Sequence, residues 1–537
     1  MEIGTCATAL LLVASLVFGT HVANGGFYYD DWSNASTYRF DGFWELADGL
    51  WRNVIPGRPV LAFLLPVPFA LFGSNAALHL GLALVLGVCA STCFFAFLRA
   101  LNVEPAHAGA MAVLSLLFPW SDAVRLWSTA SMNNVAIAAY FTGTVFALRA
   151  LAAGGRRAVL LRTIAIVGYV LSILVYEAAA AAILLSILLY RKRARQRRAF
   201  AYWLTDVAVV LVCLGASAVL TSRVRHVGSA ADRLRDVPDF TRDGLSILAT
   251  SFLPPGFDSA AAKASVLVCI AAVLAYAFAR AREPHRAELG VWLRRAAAAG
   301  VGIAASYVMF LGSYLRPASV GIDNRSNTFA GFAFAVLVYS LVMVATLVLA
   351  GGRARIEKAV VLVATLAVVS GFVQRVRTDI NDYDRATALQ TGALSALRQA
   401  IPAPLRGSTI YVFGYPAATA PGIPIFWGRW DLAGAVRLKW DDPSLSALPI
   451  YRRGVVCETS VVYPAEFGVE DGSSYRRSIF VDLSSGTVEP VHSARKCQRL
   501  RRKFRPGPLI QSSSLVAAEH ASAPRASARA LPIESGP

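Results

Sequence analysis

Over its first 375 positions the chain alternates long apolar runs with short polar breaks, a pattern of lipid-facing helices and not of helices with one buried stripe. A helix needs roughly 20 mostly apolar residues to cross the hydrocarbon core. Runs of this kind lie at 5–23, 74–98, 106–121, 131–150, 158–175, 176–190, 201–221, 263–281, 296–314, 328–350 and 359–375. They predict an all-α polytopic membrane bundle of about 11 transmembrane helices. Residues 59–73, PVLAFLLPVPFALFG, form a shorter run broken by Pro59, Pro66 and Pro68. Each proline removes a backbone donor that lipid cannot replace, so this run reads as interfacial. The first run follows MEIGT, which carries no positive charge, and no small-residue cleavage site comes after it; it reads as an uncleaved span.

Beyond the last run the period changes. Residues 383–401 repeat as a helix, whereas 408–416, 454–464 and 477–491 read as strands, the last a hairpin about Ser485 and Gly486. The expected organisation is a transmembrane module over 1–375 with extracytoplasmic loops at 24–73 and 222–262, and a small C-terminal extracytoplasmic α+β domain over 376–505. A Ser/Ala/Pro-rich tail at 506–537 is expected to be disordered. Residues 40–51, FDGFWELADGLW, place aromatic and apolar groups at helical spacing, which fits a surface-lying amphipathic helix and a short packed helix equally well.

Composition agrees, with 56% apolar and 16% charged residues. The net charge of +19 would fit nucleic acid, but soluble recognition motifs are absent and the cations sit in short loops between apolar runs, such as RKRARQRR at 191–198 and GGRARIEK at 351–358. If 59–73 does not cross, the basic segments at 156–157, 191–198, 280–295 and 351–358 share one side, the cytoplasmic one. The charge is then read as contact with membrane lipids, and no nucleic-acid partner is expected. The basic run at 495–505 falls on the opposite side and reads as a membrane-surface contact. Cys6, Cys89, Cys93, Cys213 and Cys269 lie in apolar runs as packing residues; Cys457 and Cys497 lie in the C-terminal region, where an oxidising compartment would join them as a disulfide. No metal-ligand spacing occurs. The sequons at Asn34 and Asn324 would matter only in a eukaryotic secretory pathway.

Candidate chemistry begins at 25–36, GGFYYDDWSNAS, where the chain leaves the first run. Asp30 or Asp31 could deprotonate a hydroxyl, hold a metal ion, or cap the helix that follows; the residues alone do not separate these roles. Arg58, Arg125, Arg223, Arg225, Arg316 and Arg325 map to extracytoplasmic loops, and a guanidinium can fork two phosphate oxygens. Asp122 and Arg125 are spaced to pair on one helical face, with substrate contact as the other reading. Glu177 sits in an apolar stretch, where an ionisable group either faces a cavity or is hydrogen-bonded within the bundle.

The order of these elements resembles the GT-C superfamily of polytopic membrane glycosyltransferases. The matching residues are Asp30–Asp31, Arg58–Pro59, Gly73, His79, and Pro119 with Asp122 and Trp127, within residues 25–190. The resemblance implies an inverting transfer of a sugar from a polyprenyl-phosphate-linked donor to a glycan or lipid acceptor. It implies a general base at Asp30 or Asp31 and leaves open a divalent metal, Mg or Mn. Donor phosphate is expected at Arg58, Arg316 and Arg325. The chemistry is expected on the extracytoplasmic face of a bacterial inner membrane. His79 is followed by LGLALVLGVCA, without the further His or Asn often seen in related enzymes, which leaves packing beside substrate contact for this residue. Trp and Tyr near 424–432, PIFWGRWDL, suit stacking on an acceptor glycan and burial on the bundle alike. Two other functions fit less well. A transporter or flippase for a lipid-linked sugar would place polar groups near the midplane and often repeat internally, and a lipid-linked glycan polymerase or ligase needs no first-loop acidic pair.

Overall fold

The computed structural model describes residues 1–221, 230–280, 287–311, 317–350, 353–465 and 472–510. Arg223, Arg225 and Arg316, with the expected tail beyond residue 510, lie outside the described residues. The chain divides into two compact units.

The first unit comprises Met1–Ala23, Ala47–Leu65 and Leu78–Ile380 and is helical. Among the described residues eight helices are long and apolar enough to cross a membrane: Glu2–Asn24, Ala76–Ala100, Ser128–Ala152, Gly155–Val175, Gln196–Thr221, Ala260–Arg280, Ile322–Ala350 and Arg355–Ala400. Their burial differs in a way that water would not allow. The apolar windows of Ser128–Ala152 and Ile322–Ala350 are 67% and 61% buried, whereas those of Ala260–Arg280 and Arg355–Ala400 are 6% buried at a mean hydropathy of 2.0. Helices that are apolar all round and still outward-facing need an apolar solvent, so the chain is an integral multi-pass membrane protein. Gly168 lets two of these helices meet closely, since a Cβ there would lie 2.8 Å from the carbonyl oxygen of Ala139. In the same unit Asp206 accepts hydrogen bonds from Arg162 at 2.6 Å, Tyr190 at 2.6 Å and Ser186 at 3.0 Å. That buried carboxylate is thus matched by a cation and two hydroxyls.

Three of the eleven expected spans are not among these eight helices, two because they are short and one because it is too polar, and each has a local cause. The run at 106–121 gives the helix Pro105–Leu116, only 12 residues long, because Phe118 precedes Pro119 and is held extended at φ −62°, ψ 109°. The run at 176–190 breaks at its first residue: Tyr176 is extended at φ −159°, ψ 113°, and only short turns follow, Glu177–Ala179, Ala180–Leu184 and Ile187–Tyr190. The run at 296–314 belongs to the helix Ala287–Val308, which starts earlier and carries Glu288, Arg294 and Arg295 in its first half. The proline-rich run forms the shorter apolar helix Pro59–Phe72, below spanning length.

The second unit comprises Asn24–Leu46, Pro66–Ala77 and Asn381–Pro537. Of the first loop, residues 24–46 and 66–77 group with the C-terminal part while 47–65 stay with the helical unit, and the later division falls at Ile380. Its strands are β1 (Thr409–Phe413), β2 (Ala418–Ala420), β3 (Ile423–Pro424), β4 (Ser446–Pro449), β5 (Val455–Cys457), β6 (Val461–Pro464), β7 (Ser473–Ser474), β8 (Ser478–Asp482) and β9 (Thr487–Val491). The main sheet has the order β4-β1-β8-β9, with β1 parallel to both β4 and β8 and β9 antiparallel at the edge. Its central strands, TIYVF and SIFVD, are buried at every position, as strands covered on both faces must be. The β8–β9 hairpin turns through Gly486 at φ 67°, and Asp482 Oδ1 accepts the backbone N–H of Ser484 at 2.9 Å to close it. A second sheet, β5-β6-β7, is tied to the C-terminal helix Ala494–Lys503 by the disulfide Cys457–Cys497, whose Cα atoms are 5.9 Å apart.

Candidate active site

Asp30 and Asp31 open the helix Asp30–Asp41 of the second unit. The preceding Tyr29 has φ 50°, an uncommon left-handed value for a residue with a Cβ, and it redirects the chain from the first run into this helix. Neither aspartate is the N-cap; Tyr29 occupies that position without a side-chain hydrogen bond. The two carboxylates differ in their surroundings. Asp31 is 0% exposed, and its Oδ2 accepts the backbone N–H of Tyr28 at 3.2 Å. Asp30 is half-buried, and its carbonyl accepts from Ser33 Oγ at 3.0 Å.

The aromatic residues around the pair pack inside the unit. Tyr28 is fully buried, with its hydroxyl donating to the Tyr383 carbonyl at 3.0 Å and lying 2.7 Å from Thr387 Oγ1. Phe27 meets Trp32 edge-on at 5.5 Å, and Tyr29 meets Trp430 edge-on at 5.2 Å. The helix Asp30–Asp41 lies against Arg429–Trp440 so closely that a Cβ on Gly434 would stand 2.5 Å from the carbonyl oxygen of Trp32. Only glycine fits that crossing. At the start of Arg429–Trp440, Asp431 takes the backbone N–H groups of Trp427, Gly428 and Leu432 at 2.6, 3.0 and 2.7 Å. Burial, with Asp30 adding to it, pushes the Asp431 carboxyl up to about 8 against those three donors. Trp427 is the exposed aromatic of the PIFWGRWDL stretch, and Phe426 is buried. The second unit thus brings two carboxyl groups, Asp30 and Asp431, close enough to interact.

The first unit holds the remaining sequence candidates. Arg58 and Glu177 form a two-point ion pair: Nε donates to Oε2 at 2.8 Å and Nη2 to Oε1 at 2.6 Å, with the guanidinium 4.6 Å from the Tyr176 ring. Burial alone would raise the Glu177 carboxyl, and Arg58 overrides it, so Glu177 titrates below the usual range. Two residues singled out for different roles are therefore one contact, and its guanidinium fork is already filled by a carboxylate.

Asp122 and Arg125 share no hydrogen bond, and only the through-space attraction of their charges links them. The segment is a 3₁₀ turn, Pro119–Ser121, followed by the single turn Ala123–Leu126, so the spacing of a continuous helix does not apply. Arg125 is buried and donates to the Phe118 carbonyl at 2.7 Å and to Ser121 Oγ at 3.4 Å; burial pushes it down to about 10. Asp122 instead accepts Asn324 Nδ2 at 2.7 Å and faces Asp379, and its burial raises the carboxyl. Asn324 Oδ1 takes the Ala123 N–H at 3.1 Å, while Asn327 donates to the carbonyls of Trp120 and Ala318, each at 2.7 Å. Two asparagines thus lock Ile322–Asn327 onto the 119–123 turn. Asn324 is 0% and Asn34 4% exposed, which removes both as glycan acceptors in the folded protein. Arg325, on the same turn, lies over Trp127 at 5.1 Å. His79 is buried, with Nδ1 3.3 Å from Ser128 Oγ, a packing position within the bundle.

A cavity of about 320 Å³ in this unit is lined by Trp120, Ser246, Asp258, Lys263, Arg375 and Asp379, among others. Arg375 clamps Asp258 with two contacts at 3.0 and 2.9 Å, and Lys263 donates to Ser246 at 3.1 Å. None of these polar residues stands out in sequence, since their partners lie far along the chain. Among the described residues no group of three or more His, Cys, Asp or Glu side chains is placed to hold a metal ion.

No family model matches the chain, and no curated protein matches it. Among solved structures the chain is similar to a crystal structure of ArnT from Cupriavidus metallidurans bound to undecaprenyl phosphate, at 15% identity, over 83% of this chain and 86% of that one, with a TM-score of 0.36.

Proposed function

We propose that the protein is a membrane glycosyltransferase of the GT-C type, moving a sugar from a polyprenyl-phosphate donor to an extracytoplasmic glycan or lipid acceptor. The observation that carries this reading is the division of labour within the acidic pair. Asp31 is fully buried and spent on the Tyr28 backbone, whereas Asp30 keeps partial exposure next to Tyr29 and Trp430. A general base has to reach solvent-borne substrate, so Asp30 takes that role and Asp31 holds the turn that presents it.

In the proposed step the Asp30 carboxylate accepts the proton of an acceptor hydroxyl. The oxygen attacks the anomeric carbon from the face opposite the phosphate, the C–O bond to phosphate breaks, and polyprenyl phosphate leaves with the bonding pair. The configuration inverts. The charge of the leaving phosphate calls for cations, and Arg58, Arg316 and Arg325 are the proposed set. Arg58 would reach phosphate only by sharing or releasing Glu177. Among these three, Arg325, over an indole and only 3.9 Å from Asp323 at its nearest, is the less committed of the two described. The test compares Asp30→Asn and Asp31→Asn in purified, reconstituted protein with a radiolabelled polyprenyl-phosphate sugar. Loss of transfer in Asp30→Asn at unchanged folding supports the base. Full activity in that variant refutes it.

A further inference from the structure

The basic helix near the C-terminus has no part in the proposed reaction. Residues 495–505, RKCQRLRRKFR, carry seven cations and no acid. They are not a floppy tail. The helix Ala494–Lys503 starts at Ser493, whose side chain accepts the Lys496 N–H, and its inner face is Cys497, Leu500 and then Phe504. Cys497 is bonded to Cys457, and Phe504 packs on Phe413 at 5.3 Å and Phe480 at 6.0 Å.

Arg495, Arg499, Arg501, Arg502, Lys503 and Arg505 are exposed on the outer side. Glu489 meets Lys496 at 3.2 Å and Lys503 at 4.0 Å; among the described residues no carboxylate comes within ion-pairing distance of the five arginines. Helix stability does not explain them. Cations in the last turn complement the helix dipole, but Arg495 stands in the first turn, where the dipole opposes it. Arg495 with Arg499, and Arg499 with Lys503, are like charges four positions apart, which repel.

We propose that this helix face docks on the headgroups of an anionic lipid bilayer, through charge alone. The apolar side that an inserting interfacial helix would offer to lipid is buried in the unit's own sheet core, which leaves a rigid cationic plate. A bilayer is the partner because the same chain carries eight apolar helices of spanning length, so the plate is permanently tethered to a membrane and meets its lipid at high effective concentration.

The full-length protein, with Gln498→p-benzoylphenylalanine on the exposed face, is placed in nanodiscs of phosphatidylcholine alone or with about 30% phosphatidylglycerol and irradiated. The proposal expects lipid adducts on the photoprobe to be about tenfold more abundant in the anionic discs and to fall in roughly 0.5 M salt. Arg499→Gln, Arg501→Gln and Arg502→Gln, each at an exposed site, should together lower the yield by about a hundredfold, near fivefold per charge. A mass measurement of the intact Cys457–Cys497 bond shows that the triple variant is folded. Equal adducts in both discs, no lipid adduct at all, or adducts only with added dextran sulfate would overturn the proposal, the last pointing to a soluble polyanion.

Discussion

The contact between Arg58 and Glu177 makes the most quantitative prediction about the first unit. It has two short hydrogen bonds, and its side chains are 25% and 29% exposed. An exposed pair is worth about 0–1 kcal/mol. Removing one partner of a fully buried pair costs about 3–5 kcal/mol. With about three quarters of each side chain covered and a two-point geometry, a coupling of about 2 kcal/mol is expected. Arg58→Gln should be the worse single change, since it strands a carboxylate at the break in 176–190, and the double variant with Glu177→Gln should recover part of the loss. The sign with pH follows from the direction of the shift. The folded-state pKa of Glu177 is lowered, so the stabilisation is complete above the ordinary glutamate value of about 4.3 and is lost as pH falls through the folded value. Denaturant titration in mixed micelles, read by tryptophan fluorescence, gives the four free energies of the cycle at pH 7 and in acid. A coupling below about 0.5 kcal/mol at pH 7, or one unchanged in acid, would refute the assignment.

In the second unit, Cys457→Ser with Cys497→Ser should cost about 4 kcal/mol by the chain-entropy estimate for a sequence separation of 40, visible as a lower denaturation midpoint without reductant. Gly434→Val should cost about 3 kcal/mol or more, because its Cβ meets the Trp32 carbonyl; proteolysis of the loop 24–46 would report the loosened crossing. Asn324→Ala leaves Asp122 Oδ1 and the Ala123 N–H without their partner inside the protein and should cost about 2–4 kcal/mol, checked by the same titration.

Local regularities were readable from the sequence. Eight apolar runs long enough to span, the strands around β1 and β8, the hairpin at Gly486 and the helix over 383–401 each depend on a periodicity or turn residue within one segment. What escaped depends on residues far apart. The span expected at 176–190 breaks where Glu177 turns to Arg58, 119 positions away, and an alanine-rich apolar run carries no sign of that contact. Nothing around Asn324 announces its buried bond to Asp122, which lies 202 positions earlier. The Asp122–Arg125 pairing presumed a continuous helix, and only the single turn Ala123–Leu126 forms before Trp127 turns extended. The acidic pair stood out by composition, but only the backbone around Tyr29 separates a buried Asp31 from a half-exposed Asp30.

The central claim, sugar transfer with Asp30 as base, is tested most directly by transfer from a polyprenyl-phosphate sugar in proteoliposomes with Asp30→Asn. Activity is expected to fall by about 100-fold or more while the denaturation midpoint stays that of the wild type. Transfer at the wild-type rate by a folded Asp30→Asn protein would contradict it.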